Sequence, residues 1–262
     1  MSQPAPNTES PIRVRQEGAI ARVGFNEPDR YNPLRADVIE ALHTALDAIA
    51  ADDSIRVVIL DAEGKAFSAG HDLREVRSTE DRAAHQALFE RCSAFMQRIV
   101  SLPQPVIAQV QGIATAAGCQ LVATADLAVA GRSARFATSG INLGLFCSTP
   151  AVAVSRVVPR KNALEMLFTG DFVDAEEAAR LGLVNRVVDD DALAGAATEL
   201  AEKIAARPPE AIQAGKALFY RQSDKDLAGA YTDASETMAC NMDTEAAREG
   251  IDAFLEKRKP RW

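Results

Sequence analysis

The sequence predicts an α/β protein, with a parallel-sheet core followed by an all-helical C-terminal part. Three observations carry this. Up to about Asp190, short Val/Ile-rich runs alternate with segments of helical periodicity, the pattern of strands joined by helical crossovers. The runs around Val57 and Val106 are short and mostly apolar, as in strands buried on both faces. Beyond Asp190 the strand-like runs stop and four helical segments follow one another.

Taken in order, Ile12 and Val14, then Ile20, Val23 and Phe25, flank Glu17-Gly18 and read as a β-hairpin. Arg35 to Ala51 is helical, with Val38, Leu42, Leu46 and Ile49 recurring at helical spacing. Val57 to Leu60 is a strand closed by Asp61-Ala62-Glu63-Gly64. Asp81 to Val100 is a helix with Leu88, Cys92, Phe95 and Ile99 on one face. Pro105 to Val110 is a strand whose proline stands at its start, where no central ladder bond is lost. A Gly/Ala-rich stretch, Gly112 to Gly118, leads into a helix near Ala116, and Leu127 to Ala130 forms a further strand. The closing helices are Ala192 to Ala206, Pro209 to Arg221, Asp226 to Cys240 and Thr244 to Lys257, with Arg207-Pro208-Pro209 breaking the first from the second.

The 262 residues suffice for a large core. Lys plus Arg is 29 and Asp plus Glu is 37, a formal charge of −8, which argues against nucleic acid as the main partner. No apolar run is long enough to span a membrane. Met1 to Pro11 is polar, has three prolines and lacks a targeting pattern, so a flexible tail and a cytoplasmic protein are expected. Cys92, Cys119, Cys147 and Cys240 form no C-x-x-C pair, and His43, His71 and His85 show no metal-binding spacing. No metal is expected, and the thiols are expected to be reduced and buried as small hydrophobes.

The dinucleotide and nucleotide-phosphate glycine motifs and the G-x-S-x-G elbow are absent from the sequence. Two loops of small residues remain, Ala66 to Leu73 after the Val57 strand and Gln111 to Gln120 after the Val106 strand. Small residues allow tight helix–strand packing, the reading that pattern alone favours. They also let backbone approach a ligand, and helix-start N–H groups attract negative charge. Side by side, two such loops can aim two amides at one carbonyl oxygen, the construction of an oxyanion hole.

Phe67-Ser68-Ala69-Gly70-His71-Asp72-Leu73-Arg74-Glu75 fits F-[SA]-A-G-x-D-[LI]-[KR]-E at every position. Val110 to Leu121 matches V-x-G-x-A-x-G-G-G-x-E-L with substitutions, and Phe254 to Pro260 is also similar to a family ending. The chain resembles the crotonase (enoyl-CoA hydratase/isomerase) superfamily from about Ile12 to Trp262. The resemblance implies a ClpP-like spiral of ββα units over residues 12–190 that binds acyl-CoA. It implies a helical region over 191–262 for oligomerisation and for covering the CoA pocket. A homo-trimer or hexamer is expected. CoA enters as part of the substrate, and no covalently bound cofactor is expected. Backbone amides of His71 and Ala117 would polarise the thioester carbonyl. Backbones of Ala69, His71 and Leu73 would line the adenine pocket, and Asp72 belongs to the same CoA-binding stretch. Arg74 stands where the family has a basic residue near the CoA phosphates, with Lys257 or Lys259 adding charge. Each of these three also reads as a solvated surface charge.

The chain departs from the family at both carboxylates that hydratases use. Gln120 occupies one glutamate position and Gly140 the other. An amide does not exchange protons near neutral pH, and glycine has no side chain. Loss of one general base costs about 10²–10⁴ in rate, so ordinary hydration is expected to be weak or absent. Isomerisation, decarboxylation or hydrolysis by an oriented water fits better. A non-catalytic acyl-CoA-binding or regulatory protein is the alternative. His71 reads as a rim or packed side chain, Asp72 as a helix cap, Cys119 and Cys147 as packing, and Asp126 as a local cap or pair. One mitochondrial subgroup of the family shares the A-G-H-D-L, A-T-A-A-G-C-Q-L and G-L-F-C-S-T-P runs.

Overall fold

The computed structural model describes residues 10–262, so most of the expected tail, residues 1–11, lies outside it. The Pro11 carbonyl accepts the Asn26 N–H at 3.0 Å, so the tail's last residue is already tied to the hairpin. β1 (Ile12–Glu17) and β2 (Ile20–Phe25) form that hairpin, turning at Gly18 with φ +60°. A 3-10 turn leads to β3 (Pro33–Leu34) and α1 (Ala36–Ala50). Next come β4 (Val57–Ala62), β5 (Ala66–Ser68), β6 (Gly70–His71), α2 (Leu73–Arg77) and α3 (Arg82–Ser101). The following turn of chain is β7 (Val106–Val110), β8 (Ile113–Thr115) and α4 (Ala117–Thr124). Then come β9 (Leu127–Gly131), β10 (Arg135–Ala137), the 3-10 turn Ser139–Leu143, α5 (Ser148–Val157) and α6 (Arg160–Thr169). β11 (Val173–Asp174), α7 (Ala175–Arg180) and β12 (Arg186–Val188) close the core. α8 (Leu193–Ala205), α9 (Pro209–Gln222), α10 (Leu227–Met242) and α11 (Glu245–Leu255) complete the chain.

The large sheet has the order β1-β2-β4-β7-β9-β12, parallel except for the β1 edge. A second sheet has the order β11-β10-β8-β5. Successive turns of chain deposit one strand in each sheet, β4 then β5, β7 then β8, β9 then β10. Each turn runs through one strand, a short crossover, a second strand and a helix. Side chains alternate across the large sheet, as the two-residue period of a strand requires. Val58 and Leu60 enter the main core with α1 and α3, while Val57 and Ile59 pack under Leu193, Ala197 and Ala201 of α8. That two-sided cover explains the near-continuous apolar runs of β4 and β7. Leu88, Cys92, Phe95 and Ile99 are all buried along one face of α3.

Two expectations require correction. Cys240 is exposed, whereas the other three thiols are buried. Asp126 pairs across the chain, not locally. Its carboxylate accepts from Lys216 Nζ at 2.6 Å, Tyr220 OH at 2.8 Å and the Val106 N–H at 2.7 Å. Lys216 also donates to the Ile99 and Gln104 carbonyls, both at 3.0 Å. Burial lowers the Lys216 pKa against the pull of Asp126. This cluster bolts α9 to the ends of α3 and α4.

Candidate functional site

The first glycine loop is held from below by a buried asparagine. Asn32 donates from Nδ2 to the Glu63 and Ala66 carbonyls, both at 2.8 Å, and its Oδ1 accepts the Glu27 N–H at 2.9 Å. Ser68 Oγ donates to the Asn32 carbonyl at 2.8 Å and accepts the Gly70 N–H at 3.2 Å. The Ala69 N–H donates to the Tyr31 carbonyl at 2.9 Å. Asn32 and Ser68 are scaffold residues that sequence reading passed over. Asn-Pro at 32–33, a turn-forming pair, was the available signal. Asp72 caps α2, its Oδ1 accepting the Arg74 N–H at 2.8 Å, and it also pairs with Arg30 at 2.5 Å. The His71 ring packs edge-on against Phe89, centroids 5.3 Å apart. Its Nδ1 contacts the Leu34 carbonyl at 3.0 Å, and because a carbonyl only accepts, Nδ1 carries the hydrogen. Burial lowers the His71 pKa, so the ring is neutral near pH 7.

The second loop meets the first at the start of α4. Ala117 is the first residue of α4 and buried, so its N–H has no intrahelical acceptor. Ala116 before it adopts φ 51°, ψ −117°, a conformation suited to glycine. Contact between the loops demands small residues. A Cβ on Gly118 would lie 2.2 Å from the Ser68 carbonyl oxygen, and one on Gly70 (φ +83°) would lie 3.0 Å from the Ala117 nitrogen. The loops therefore touch at Ser68–Gly70 and Ala116–Gly118.

Gln120 lies one turn into α4 and is buried, 4% exposed. Its Oε1 has no hydrogen-bond partner. Gly140 sits in the 3-10 turn after β10. Its N–H points to Cys147 Sγ at 3.2 Å, and its carbonyl accepts the Leu145 N–H at 3.0 Å. A Cβ on Gly140 would lie 2.7 Å from the Leu145 carbonyl oxygen and 2.8 Å from Cys147 Sγ. The space beside residue 140 is filled by the loop that follows it. Burial raises the Cys147 pKa, and the Gly140 N–H only partly opposes this. Cys147 is thus a packed thiol. Burial pushes the Cys119 thiol up to about 12. Thr138, fully buried, has an unpartnered hydroxyl, and Thr115 Oγ1 and Ser139 Oγ pair at 2.7 Å beside it. Sequence reading missed these hydroxyls.

Leu73 and Arg74 are exposed on α2, and Arg74 makes no ion pair among the described residues. Lys257 and Lys259 are exposed beyond α11, which packs mainly on α10. The structure thus sets Gly70, between Ala69 and His71, against Ala116 and Ala117, turns Asp72 to Arg30 and the Arg74 N–H, and leaves Lys257 on the C-terminal region. Three surface grooves lie between β1 and α1, between α9 and α10, and beneath Trp262. Among the described residues, no group of three or more His, Cys, Asp or Glu is arranged to hold a metal ion, and no helix is long and apolar enough to cross a membrane.

Fold and motifs together define a crotonase-type protein, and the chain belongs to the enoyl-CoA hydratase/isomerase family, matching it over residues 15–262. It is 46% identical over 249 residues to rat "Enoyl-CoA hydratase domain-containing protein 3, mitochondrial", covering 95% of this chain and 83% of the relative. The human protein of that name is 44% identical, and its crystal structure superposes with a TM-score of 0.94 over 96% of this chain and all of the other. An enoyl-CoA hydratase structure from Mycobacterium smegmatis is 54% identical with a TM-score of 0.95, covering 97% and 99%. The cytoplasmic placement expected from the N-terminus is corrected by these names. The rat, mouse, frog and human relatives are all named as mitochondrial.

Proposed function

We propose that the chain binds an acyl-CoA thioester with its carbonyl oxygen between the backbone N–H groups of His71 and Ala117. The single observation that carries this is the contact of the two glycine loops, with Gly70 and Gly118 admitting an approach that any Cβ would block. An N–H pair of this type stabilises the oxyanion that forms when a thioester is attacked or enolised. One such donor is worth about 10²–10³ in rate. The backbones of Ala69, His71 and Leu73 line the adenine end. Arg74 reaches the CoA phosphates, and Lys257, contributed by a neighbouring copy, adds charge.

Hydration asks for one group to deprotonate water and another to protonate the α carbon. Gln120 can orient a water or an acyl substituent but not accept its proton. Gly140 has no side chain, and the Leu145 carbonyl and Cys147 sulfur fill its neighbourhood. His71 does not replace the missing carboxylates, since its ring is fixed on Leu34 and Phe89. The site therefore suits chemistry that needs carbonyl polarisation and little acid–base help, with weak or absent hydration. The alternative, a binding protein without turnover, is favoured by the same packing at Gly140.

Mass spectrometry of the purified protein with short, long, saturated, enoyl and malonyl-type CoA thioesters tests both. Bound ligand with product from one class supports the enzyme. Bound ligand without product supports the binding protein. Absence of binding overturns the CoA reading.

A further inference from the structure

The C-terminal helical layer leaves α8 through Arg207-Pro208-Pro209 and ends at Trp262. Pro208 and Pro209 have no N–H to donate, so backbone hydrogen bonding is interrupted between α8 and α9. Beyond that break α9 packs mainly on α10, and α10 on α11. α9 and α10 contain no fully buried residue, and α11 contains one, Ala253. The Lys216–Asp126–Tyr220 cluster fastens the middle of α9 to the core.

A second fastening lies at the far end of the chain. α11 stops at Leu255, and Lys257 (φ 56°) turns the chain back. Arg258 then lies along α11. Its N–H donates to the Ala253 carbonyl at 2.9 Å, and its guanidinium forks onto both Glu249 carboxylate oxygens, at 2.6 and 2.9 Å. The Arg261 N–H donates to Glu249 Oε1 at 2.7 Å. Trp262 reaches past α11 to the end of α8. Its ring lies against Gly250, where a Cβ would stand 3.3 Å from Cζ3, and its Nε1 donates to the Ala206 carbonyl at 3.0 Å. Ala206 caps the C-terminus of α8, so its carbonyl is one that helix geometry leaves without a partner. The last residue thus returns, across 56 positions, to the place where the layer departs. It also roofs an apolar groove lined by Met238, Met242, Ile251 and Leu255.

We propose that Trp262 is a clasp: seated on Gly250 and Ala206 it closes the C-terminal layer onto its own hinge, and its release frees α11 while the core stays folded. The clasp is light. It rests on one side-chain hydrogen bond and on a ring still 46% exposed, and ion pairs open to solvent, as at Arg258–Glu249, add little. Contacts this sparse open locally at a far lower free energy than a packed core requires. Opening uncovers the groove, so the clasp sets how much of the apolar lining of α10 and α11 is presented. It operates apart from the glycine loops and does not depend on the acyl-CoA reading.

Trp262 is the chain's only tryptophan, so its fluorescence reads the clasp directly. In a urea titration of the full chain, its emission is expected to shift to the red before the far-ultraviolet helical signal falls. Hydrogen exchange of the full chain, followed by mass spectrometry, is the second readout. Trp262→Phe keeps a ring over Gly250 and removes the N–H. Its α11 peptides are expected to exchange about threefold to tenfold faster than in the wild type, the worth of one neutral hydrogen bond. Trp262→Ala should exchange faster still, with β4 and β7 unchanged in both variants. Coincident fluorescence and helical transitions in the wild type, or unchanged α11 exchange in both variants, overturns the proposal. Acceleration shared equally by β4 and β7 overturns it as well, because it marks a contact that opens only with the whole fold.

Discussion

Ala116 holds a conformation rarely adopted by a side-chain-bearing residue, fixed by its N–H bond to Ala137 and its place before α4. Such strain costs on the order of 1–3 kcal/mol. Ala116→Gly relieves it at some cost in unfolded-state entropy. The variant is therefore expected to gain about 1 kcal/mol, a melting rise of roughly 2–4 °C by calorimetry. His71 predicts a pH effect. Its folded pKa lies below the ordinary 6.5 because burial disfavours the charged ring. Between those two values the unfolded chain binds the proton and the native chain does not. Stability is thus complete above pH 6.5 and falls as pH drops below it. Chemical denaturation at pH 7.5 and pH 5.5 should show a loss that His71→Gln diminishes. At this scale the sequence disclosed identity but not setting. Asp72 was legible as a cap because Asp at a helix start does little else. The partners of Asp126 were not, because Lys216 lies 90 residues away.

Helices and long strands were legible because their periods are written in the apolar residues. α1, α3 and the four C-terminal helices fall within a residue or two of expectation. β5, β6, β8 and β10 have two or three residues each, too few to show a period, and pairing alone defines them, β5, β8 and β10 within the second sheet and β6 against β3. The proposed oxyanion positions come from motif resemblance, since small residues in a loop serve packing as well as binding. The shape of the second carboxylate position was not legible at all. The sequence showed a missing glutamate at 140, whereas the structure shows that the 140–147 segment folds over the vacancy. Restoring the carboxylates by Gln120→Glu with Gly140→Glu is therefore expected to give no gain in crotonyl-CoA hydration. Overpacking at residue 140 should destabilise the chain by about 1–3 kcal/mol. Coupled hydratase assay and thermal melting read the two effects.

The C-terminal helices leave large apolar side chains uncovered. Phe254 is 82% exposed and Leu227 74%, with Phe219, Tyr231, Met238 and Leu255 also exposed. α9 and α10 contribute no fully buried residue, so their stability as an isolated layer rests on the Lys216–Asp126–Tyr220 cluster and partial packing. Exposed apolar side chains in this number are what an interface would cover. A homo-trimer or hexamer is the expected assembly, and analytical ultracentrifugation should find no stable monomer at micromolar concentration. Phe254→Asp should shift the population toward smaller species.

The central claim is that two backbone amides polarise a thioester carbonyl at the meeting of the glycine loops. Infrared difference spectroscopy of a bound acyl-CoA, carbon-13 labelled at the thioester carbonyl, reads that polarisation directly. The account predicts a shift of the carbonyl stretch to lower frequency on binding, lost in Gly118→Ala, whose Cβ would collide with the Ser68 carbonyl. A bound thioester whose carbonyl frequency matched that in water would contradict it.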